Sequence, residues 1–351
     1  MQGTKSHPWV TVTSGRVGNV RRAGMPHRDQ VVLGLDIGGT KLAAGVVAGD
    51  GRVLSFRITP SRREDGPIPM ITRLVDLAQE AVDDAALGWP EIRCVGIAIG
   101  GPLDAKNGVV RSPPNLPGWD DVPLASIAGA AFKRPIFVDN DATAAAIAEW
   151  WYGAGARMAI ENLVYLTIST GIGGGLILDG RVYRGAGNAG ELGHMTVEQR
   201  GRQCGCGRHG CLEAYASGTS IAARAREAVL TDESRSVLAD LAVVTAQTVA
   251  EAAVAGDPLA RRIWDETTLI LGAALADILN VFNPDLIVLG GGLTGAGGQL
   301  LDPVRKAALA QAMAPARESS EIVLAALGEH LSVVSAAAVA FERLPTLASD
   351  A

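Results

Sequence analysis

No stretch of this sequence approaches the roughly 18 uninterrupted apolar residues that a membrane span requires. The nearest, Leu269 to Phe282, is broken by Asp277 and Asn280, which excludes a spanning helix there. An excess of basic residues is also missing: 31 Lys and Arg stand against 37 Asp and Glu, for a formal charge of -6. Nonspecific binding to nucleic acid needs a positive field, so neither a nucleic-acid nor a membrane partner is expected. The N-terminus lacks the continuous apolar core of a secretory signal, which makes a reducing cytoplasm the expected compartment. In that compartment the four cysteines are not a disulfide framework, and metal binding or packing comes first.

What remains is the composition of a folded globular chain. Apolar residues make up 48% and charged residues 19% of 351 residues, a length that suggests two domains or one large one. Glycine is abnormal: 43 residues are about 12% of the chain against a usual ~7%. The glycines cluster, which points to backbone approaching a ligand. Residues 1–28 contain no Asp or Glu but carry Lys5, Arg16, Arg21, Arg22 and Arg28 without apolar periodicity. A disordered basic tail over 1–30 is expected, most simply a dispensable extension ahead of Met25.

From Val31 the pattern changes. VVLGLD reads as a strand, IGGT as a turn, KLAAGVV as a second strand, AGDG as a hairpin turn and RVLSFRI as a third strand. Ile71, Leu74, Val75, Ala78, Val82 and Ala85 follow with helical spacing, then a strand over Arg93 to Ile99. The order describes a mixed-sheet α/β unit. A second unit repeats it, with LVYLTIST a strand, GIGGG a turn, LIL a strand, DG a hairpin turn and RVY the start of another strand. Duplicated domains would face each other across a cleft, the usual place for a ligand. Asp257 and Pro258 suit the N-cap and first position of a long helix to about Phe282, and DLIVLGGG is a buried strand ending in glycines that offer another nucleotide contact. A helix over Val333 to Leu344 closes the chain.

Three motifs carry chemistry. In Asp36-Ile37-Gly38-Gly39-Thr40-Lys41 a strand ends in a carboxylate, and its glycines let backbone N–H groups approach phosphate oxygens. A tight hairpin would read the same, and the spacing is not that of a Walker A loop. The second turn, beginning at Thr170-Gly171, favours a pair of phosphate loops. Asp139-Asn140-Asp141 precedes a helix, where capping alone would explain it. Beside two phosphate loops, Asp141 becomes the candidate base for a hydroxyl acceptor. The third motif joins Gly190-Glu191-Leu192-Gly193-His194 to Cys204, Cys206 and Cys211, which suit a closed tetrahedral Zn²⁺ site of structural type. His209 competes with His194 as fourth ligand, and spacing does not decide between them. Glu191 and Glu213 bracket this loop and suit a polyhydroxylated ligand; Cys94 reads as a small core residue, and Asn115 as a turn residue.

Taken in order, DIGGTK, PNLPGW, the Asn-Asp of DNDATAAAIAE, TISTGIGGG, GELGH, CGCGRHGCLE and VLGGG resemble the ROK family of sugar kinases and sugar-responsive repressors, over about Val31 to Leu344. The resemblance implies the actin-like ATPase fold, also called ribonuclease H-like: an N-terminal domain over 31–139, completed by the C-terminal helix 333–351, and a C-terminal domain over 140–332 holding the zinc loop. It implies ATP-dependent phosphorylation of a hexose at the 6-hydroxyl, glucose to glucose 6-phosphate first, with Asp141 as base. Gly38, Gly39, Thr40, Lys41, Thr170 and Gly171 would hold phosphates, Gly291 and Gly292 would lie near the adenosine, and Asp36 would help to hold Mg²⁺. Asn115, Asn140, Glu191, His194 and Glu213 match sugar-contacting positions, which gives His194 a zinc-facing and a sugar-facing nitrogen. A homodimer or homotetramer is implied. An N-acetylmannosamine, N-acetylglucosamine or fructose kinase fits the same motifs. A repressor is disfavoured because the residues before Val31 show no paired helical pattern. Asp139 stands where Glu is usual, Thr143 where Asn is, and Ser169 where Gly is; Gly100 to Asp104 and the Ser332 to Leu344 segment also depart from the common pattern.

Overall fold

The computed structural model describes residues 28–156, 158, 160–231 and 235–349, so most of the segment read as a basic tail lies outside the described residues. The first half comprises strands β1 (Val31–Ile37), β2 (Lys41–Ala48) and β3 (Val53–Pro60), helix α1 (Pro67–Asp84), strands β4 (Ile92–Ile99), β5 (Leu103–Asp104) and β6 (Val109–Val110), helix α2 (Leu124–Phe132) and strand β7 (Ile136–Asn140). Helix α3 (Asp141–Trp151) leads to β8 (Leu163–Ile168), β9 (Ile172–Leu178) and β10 (Arg181–Val182). Helices α4 (Glu213–Ala216), α5 (Gly218–Thr231), α6 (Ala246–Val254) and α7 (Pro258–Phe282) follow. The chain ends with β11 (Leu286–Gly290), α8 (Gly298–Gln311), α9 (Ala314–Ser319), β12 (Glu321–Leu324) and α10 (Leu331–Ser349).

The duplication read from sequence is a duplication of topology. One sheet has the order β3-β2-β1-β4-β7 and the other β10-β9-β8-β11-β12. In each, the first strand is antiparallel to the second and parallel to the fourth. The hairpins close between Ile37 and Leu42 and between Ile168 and Ile172, so Gly38-Gly39-Thr40 and Ser169-Thr170-Gly171 occupy equivalent places.

Burial on both faces explains the near-continuous apolar runs of the central strands. Helices α1 and α2 cover one face of the first sheet, where Met70, Leu74 and Phe132 meet Leu33, Leu35 and Ile97. Helices α5 to α8 cover the outer face of the second sheet. Between the two sheets lie α3 and α10, packed on each other and on both halves. The helices approach closely because the strands beneath them carry glycine: a Cβ on Gly34 would lie 2.2 Å from the Val333 carbonyl oxygen, and one on Gly96 1.9 Å from that of Ala336.

The same cause corrects one sequence expectation. Gly173, Gly174 and Gly175 belong to strand β9, not to a turn, and the turn is only the three residues before it. A Cβ on Gly175 would lie 2.4 Å from the Ala142 carbonyl oxygen, and one on Gly174 2.5 Å from that of Gly190. These glycines admit helix α3 and the GELGH loop to the strand. Two boundaries also move. Helix α1 begins at Pro67, its first-turn proline, and α10 runs from Leu331 to Ser349. The long helix is as expected, with the Asp257 side chain accepting the Ala260 N–H at 2.9 Å.

Candidate active site

Helix α3 is the element that sets the centre of the site. Asn140 is its N-cap, its Oδ1 accepting the N–H groups of Ala142 and Thr143 at 2.9 and 3.3 Å. With that oxygen committed, only its amide donors are left for a ligand. Asp141 follows as the first helical residue and points its carboxylate into the cleft, where Oδ1 accepts the adjacent Ala142 N–H at 2.8 Å. The capping reading of this cluster falls to Asn140, which leaves the Asp141 carboxylate outside the cap. The protein mass around Asp141 outweighs that hydrogen bond and raises its carboxyl above the ordinary range.

Asp36 approaches from the end of β1. Burial, and then the neighbouring charge of Asp141, push its carboxyl up to about 7 against a partial counter-effect of Lys41. Two carboxylates that share so little positive charge form a place suited to a cation. A Cβ on Gly100, in the loop after β4, would lie 3.1 Å from Asp141 Oδ2, so the loop backbone lines the same carboxylate.

The two hairpin loops keep donors in reserve. Gly38 N–H bonds to the Lys41 carbonyl at 3.0 Å and Ser169 N–H to that of Gly171 at 2.9 Å. The N–H groups of Gly39, Thr40, Thr170 and Gly171 donate to no described residue. Backbone donors left free on glycine-rich loops are what anionic oxygens require. Gly291 and Gly292 follow β11 and lie against Ile168 and Ser169, beside the second loop. Asn115 lies on the other side: its carbonyl oxygen would be 3.3 Å from a Cβ on Gly39. Its loop is anchored by the fully buried Trp119.

The second half supplies more carboxylates. Glu191 is half-exposed, and its carboxyl is raised by partial burial, with His194 opposing and Glu213 and Asp141 reinforcing. Glu213 Oε2 accepts the Ile172 N–H at 2.8 Å, fixing it against the second hairpin loop. Asp36, Asp141, Glu191 and Glu213 therefore form a chain of acids across the cleft.

His194, Cys204, Cys206 and Cys211 bring one ligand atom each within 4.8 Å of the others. Zn–S bonds of about 2.3 Å set S···S edges of about 3.75 Å in a tetrahedron. Cys206 Sγ and Cys211 Sγ lie 3.7 Å apart, and Cys204 Sγ lies 3.7 Å from His194 Nδ1. These spacings fit one tetrahedral ion and no disulfide. His194 Nε2 faces Glu191 at 3.8 Å, so its two nitrogens serve different neighbours. His209 turns instead to the Gly201 carbonyl, 3.1 Å from its Nδ1. Cys94 is buried under α10, and burial raises its thiol to about 12.

Sequence reasoning missed a junction behind the site. Arg184 Nε donates to Asp139 Oδ2 at 2.8 Å, and its Nη groups donate to Glu342 at 3.0 and 3.3 Å. One guanidinium thus joins β7, α10 and the loop that carries Glu191. Nothing local in the sequence signals it, since the three residues lie far apart along the chain.

A family model described as the ROK family matches residues 32–343. The chain is 35% identical over 318 residues to a glucokinase of Thermotoga maritima, covering 89% of this chain and 98% of that one. It is 35% identical over 272 residues to an N-acetylmannosamine kinase of Escherichia coli O157:H7, covering 76% and 85%. Among solved structures, a ROK family glucokinase from Streptomyces griseus in complex with glucose and AMPPNP matches with a TM-score of 0.72 at 34% identity, over 88% of this chain and 98% of that one. With its duplicated sheets in the actin-like arrangement and a family match across nearly all described residues, this chain belongs to the ROK family.

Proposed function

We propose that this protein transfers the terminal phosphoryl group of ATP to the 6-hydroxyl of glucose. The observation that carries the reading is the placement of Asp141. Its carboxylate is open to the cleft, between two loops with unused N–H donors on one side and Glu191, His194 and Glu213 on the other. Asp141 accepts the proton of the sugar 6-hydroxyl as that oxygen bonds to the γ-phosphorus. The bond from phosphorus to the β,γ-bridging oxygen breaks, and ADP leaves with the electron pair. Gly39, Thr40, Thr170 and Gly171 donate to phosphate oxygens, while Asn115, the Asn140 amide, Glu191, His194 and Glu213 orient the sugar hydroxyls. Gly291 and Gly292 sit at the base of the nucleotide side.

Asp36 would hold Mg²⁺, which neutralises phosphate charge when bound. Its raised carboxyl beside Asp141 fits a site that requires a cation. His194, Cys204, Cys206 and Cys211 would hold a structural Zn²⁺ that fixes the sugar-facing loop. Glucose is favoured as acceptor because the glucokinase match spans 98% of that relative and the S. griseus complex holds glucose and AMPPNP together. No described helix is long and apolar enough to cross a membrane.

A coupled assay with MgATP and a panel of glucose, N-acetylmannosamine, N-acetylglucosamine and fructose tests the proposal. Glucose is expected to give the highest kcat/KM. Preference for another sugar would overturn the assignment of glucose, and no sugar phosphate from any of them, with folded protein, would overturn the kinase reading. Light scattering on the same sample tests the homodimer or homotetramer.

A further inference from the structure

Between β3 and α1 the chain makes one short turn over Arg63–Asp65. Ser61 N–H donates to the Thr40 carbonyl at 3.0 Å, which ties this turn to the first hairpin loop. Arg73 pins it from below, with Nη2 on the Ser61 and Arg62 carbonyls at 2.6 and 3.2 Å and Nη1 on the Asp65 carboxylate at 2.8 Å. Arg62 takes a left-handed conformation, φ 48, uncommon for a residue with a side chain. The outcome is the placement of Arg63. A Cβ on Gly39 would lie 3.7 Å from Arg63 Nη1, with Asn115 also among its nearest neighbours.

The charge of Arg63 is unspent. Nearby Arg57 and Arg73 are paired with Asp84 and Asp65, whereas the Arg63 guanidinium makes no hydrogen bond or ion pair with any described residue. It lies where the loop with free phosphate donors, Gly39 and Thr40, meets the sugar-side residue Asn115. A phosphoryl group moving from nucleotide to sugar crosses that boundary. Its three equatorial oxygens carry the charge of a loose transition state, and a guanidinium offers them several donors in one plane.

We propose that Arg63 is a further catalytic residue, whose guanidinium meets the phosphoryl group during transfer and holds it on the product sugar 6-phosphate. This rests on the kinase reading above. Arg63 adds no bond-making step; it stabilises charge on oxygens that are already present.

The test uses the full chain as wild type, Arg63→Ala and Arg63→Lys, with steady-state kinetics and calorimetry. Arg63→Ala is expected to lower kcat about 100-fold, leave the glucose KM within twofold, and weaken glucose 6-phosphate binding at least tenfold without nucleotide. Arg63→Lys should recover part of both losses, because charge is kept and the planar fork is lost. The side chain is exposed, so both variants should fold. If Arg63→Ala keeps kcat and glucose 6-phosphate affinity within twofold of wild type, the inference is overturned. It is overturned equally if glucose and glucose 6-phosphate affinities fall together, the mark of a displaced loop. A wild-type protein that phosphorylates no sugar defeats the kinase reading instead, and that result appears before any variant is compared.

Discussion

As the proposed base, Asp141 must be ionised to accept a proton, yet the surroundings that aim it also disfavour its charge. Its conjugate acid is correspondingly strengthened as a proton holder, which suits a base that must briefly keep what it takes. Asp141→Asn keeps the shape and removes the basicity. It is expected to lower kcat by about 10³-fold with glucose affinity, measured by calorimetry, changed by less than about threefold. In the wild type the acid limb of kcat/KM should lie above the ordinary carboxylate range, since the raised group must lose its proton before it works. Asp36 offers a second check, read from stability. Its carboxyl moves from 3.8 to about 7 on folding. The folded state therefore binds this proton more tightly, and that advantage is lost as pH rises from about 4 through about 7. Above neutrality the charged residue weighs against the metal-free fold. Asp36→Asn is expected to stabilise the protein at pH 8 by on the order of 1–2 kcal/mol, with little gain at pH 4, in chemical denaturation without Mg²⁺, while abolishing turnover.

Helix α3 converts packing into the position of Asp141, the proposed base. Every residue from Ala142 to Trp151 is buried, and its first turn rests on the bare backbone of Gly175. Gly175→Ala would drive a methyl to within 2.4 Å of the Ala142 carbonyl, next to Asp141. Overpacking of this kind costs roughly 1–3 kcal/mol, and the displaced helix start should lower kcat at least tenfold, whereas Gly180→Ala, at an open hairpin, should leave kcat unchanged. Much of this element was legible in the sequence. The N-cap, the position of Asp141 after it, both loops and the Asp257-Pro258 helix start are local signals, each written within a few residues. The Gly173 to Gly175 run was misread because a glycine needed for a turn and a glycine needed for close approach are the same letter. The approaching partner, Ala142, lies in another element. The Asp139–Arg184–Glu342 junction was invisible for the same reason. Its strength is accessible to experiment: Arg184→Met strands Asp139, which is 3% exposed, and should cost about 3–5 kcal/mol. Adding Asp139→Asn should recover most of that loss, because Glu342 keeps its pairing with Arg343.

At the scale of the whole molecule, the proposed sugar contacts come from both halves. Asn115 and Asn140 stand on the first half, Glu191, His194 and Glu213 on the second, and Asp141 opens helix α3 between them. A ligand that bridges two bodies favours the state in which they are closed on each other, and so links binding to closure. Such linkage has a use in a kinase: water is smaller than any sugar hydroxyl, and a cleft that closes only around sugar limits hydrolysis of ATP. The four-ligand cluster acts on one half alone, through Cys204 beside Glu213 at 3.8 Å and His194 beside Glu191. Glucose and metal should therefore leave different signatures in calorimetric melting. Glucose at a hundredfold excess over its Kd contributes about 2.7 kcal/mol; because its proposed contacts lie on both halves, the whole transition should move upward without splitting. Stripping the proposed Zn²⁺ with a chelator should instead separate out an earlier transition for the second half and weaken glucose binding at least tenfold. Binding of a non-hydrolysable ATP analogue should stay within about threefold, since the proposed phosphate donors lie on hairpin loops held by the two sheets. An unchanged glucose affinity in metal-free, folded protein would mean that the cluster does not support the sugar side at all, and the division of labour between the halves would have to be redrawn.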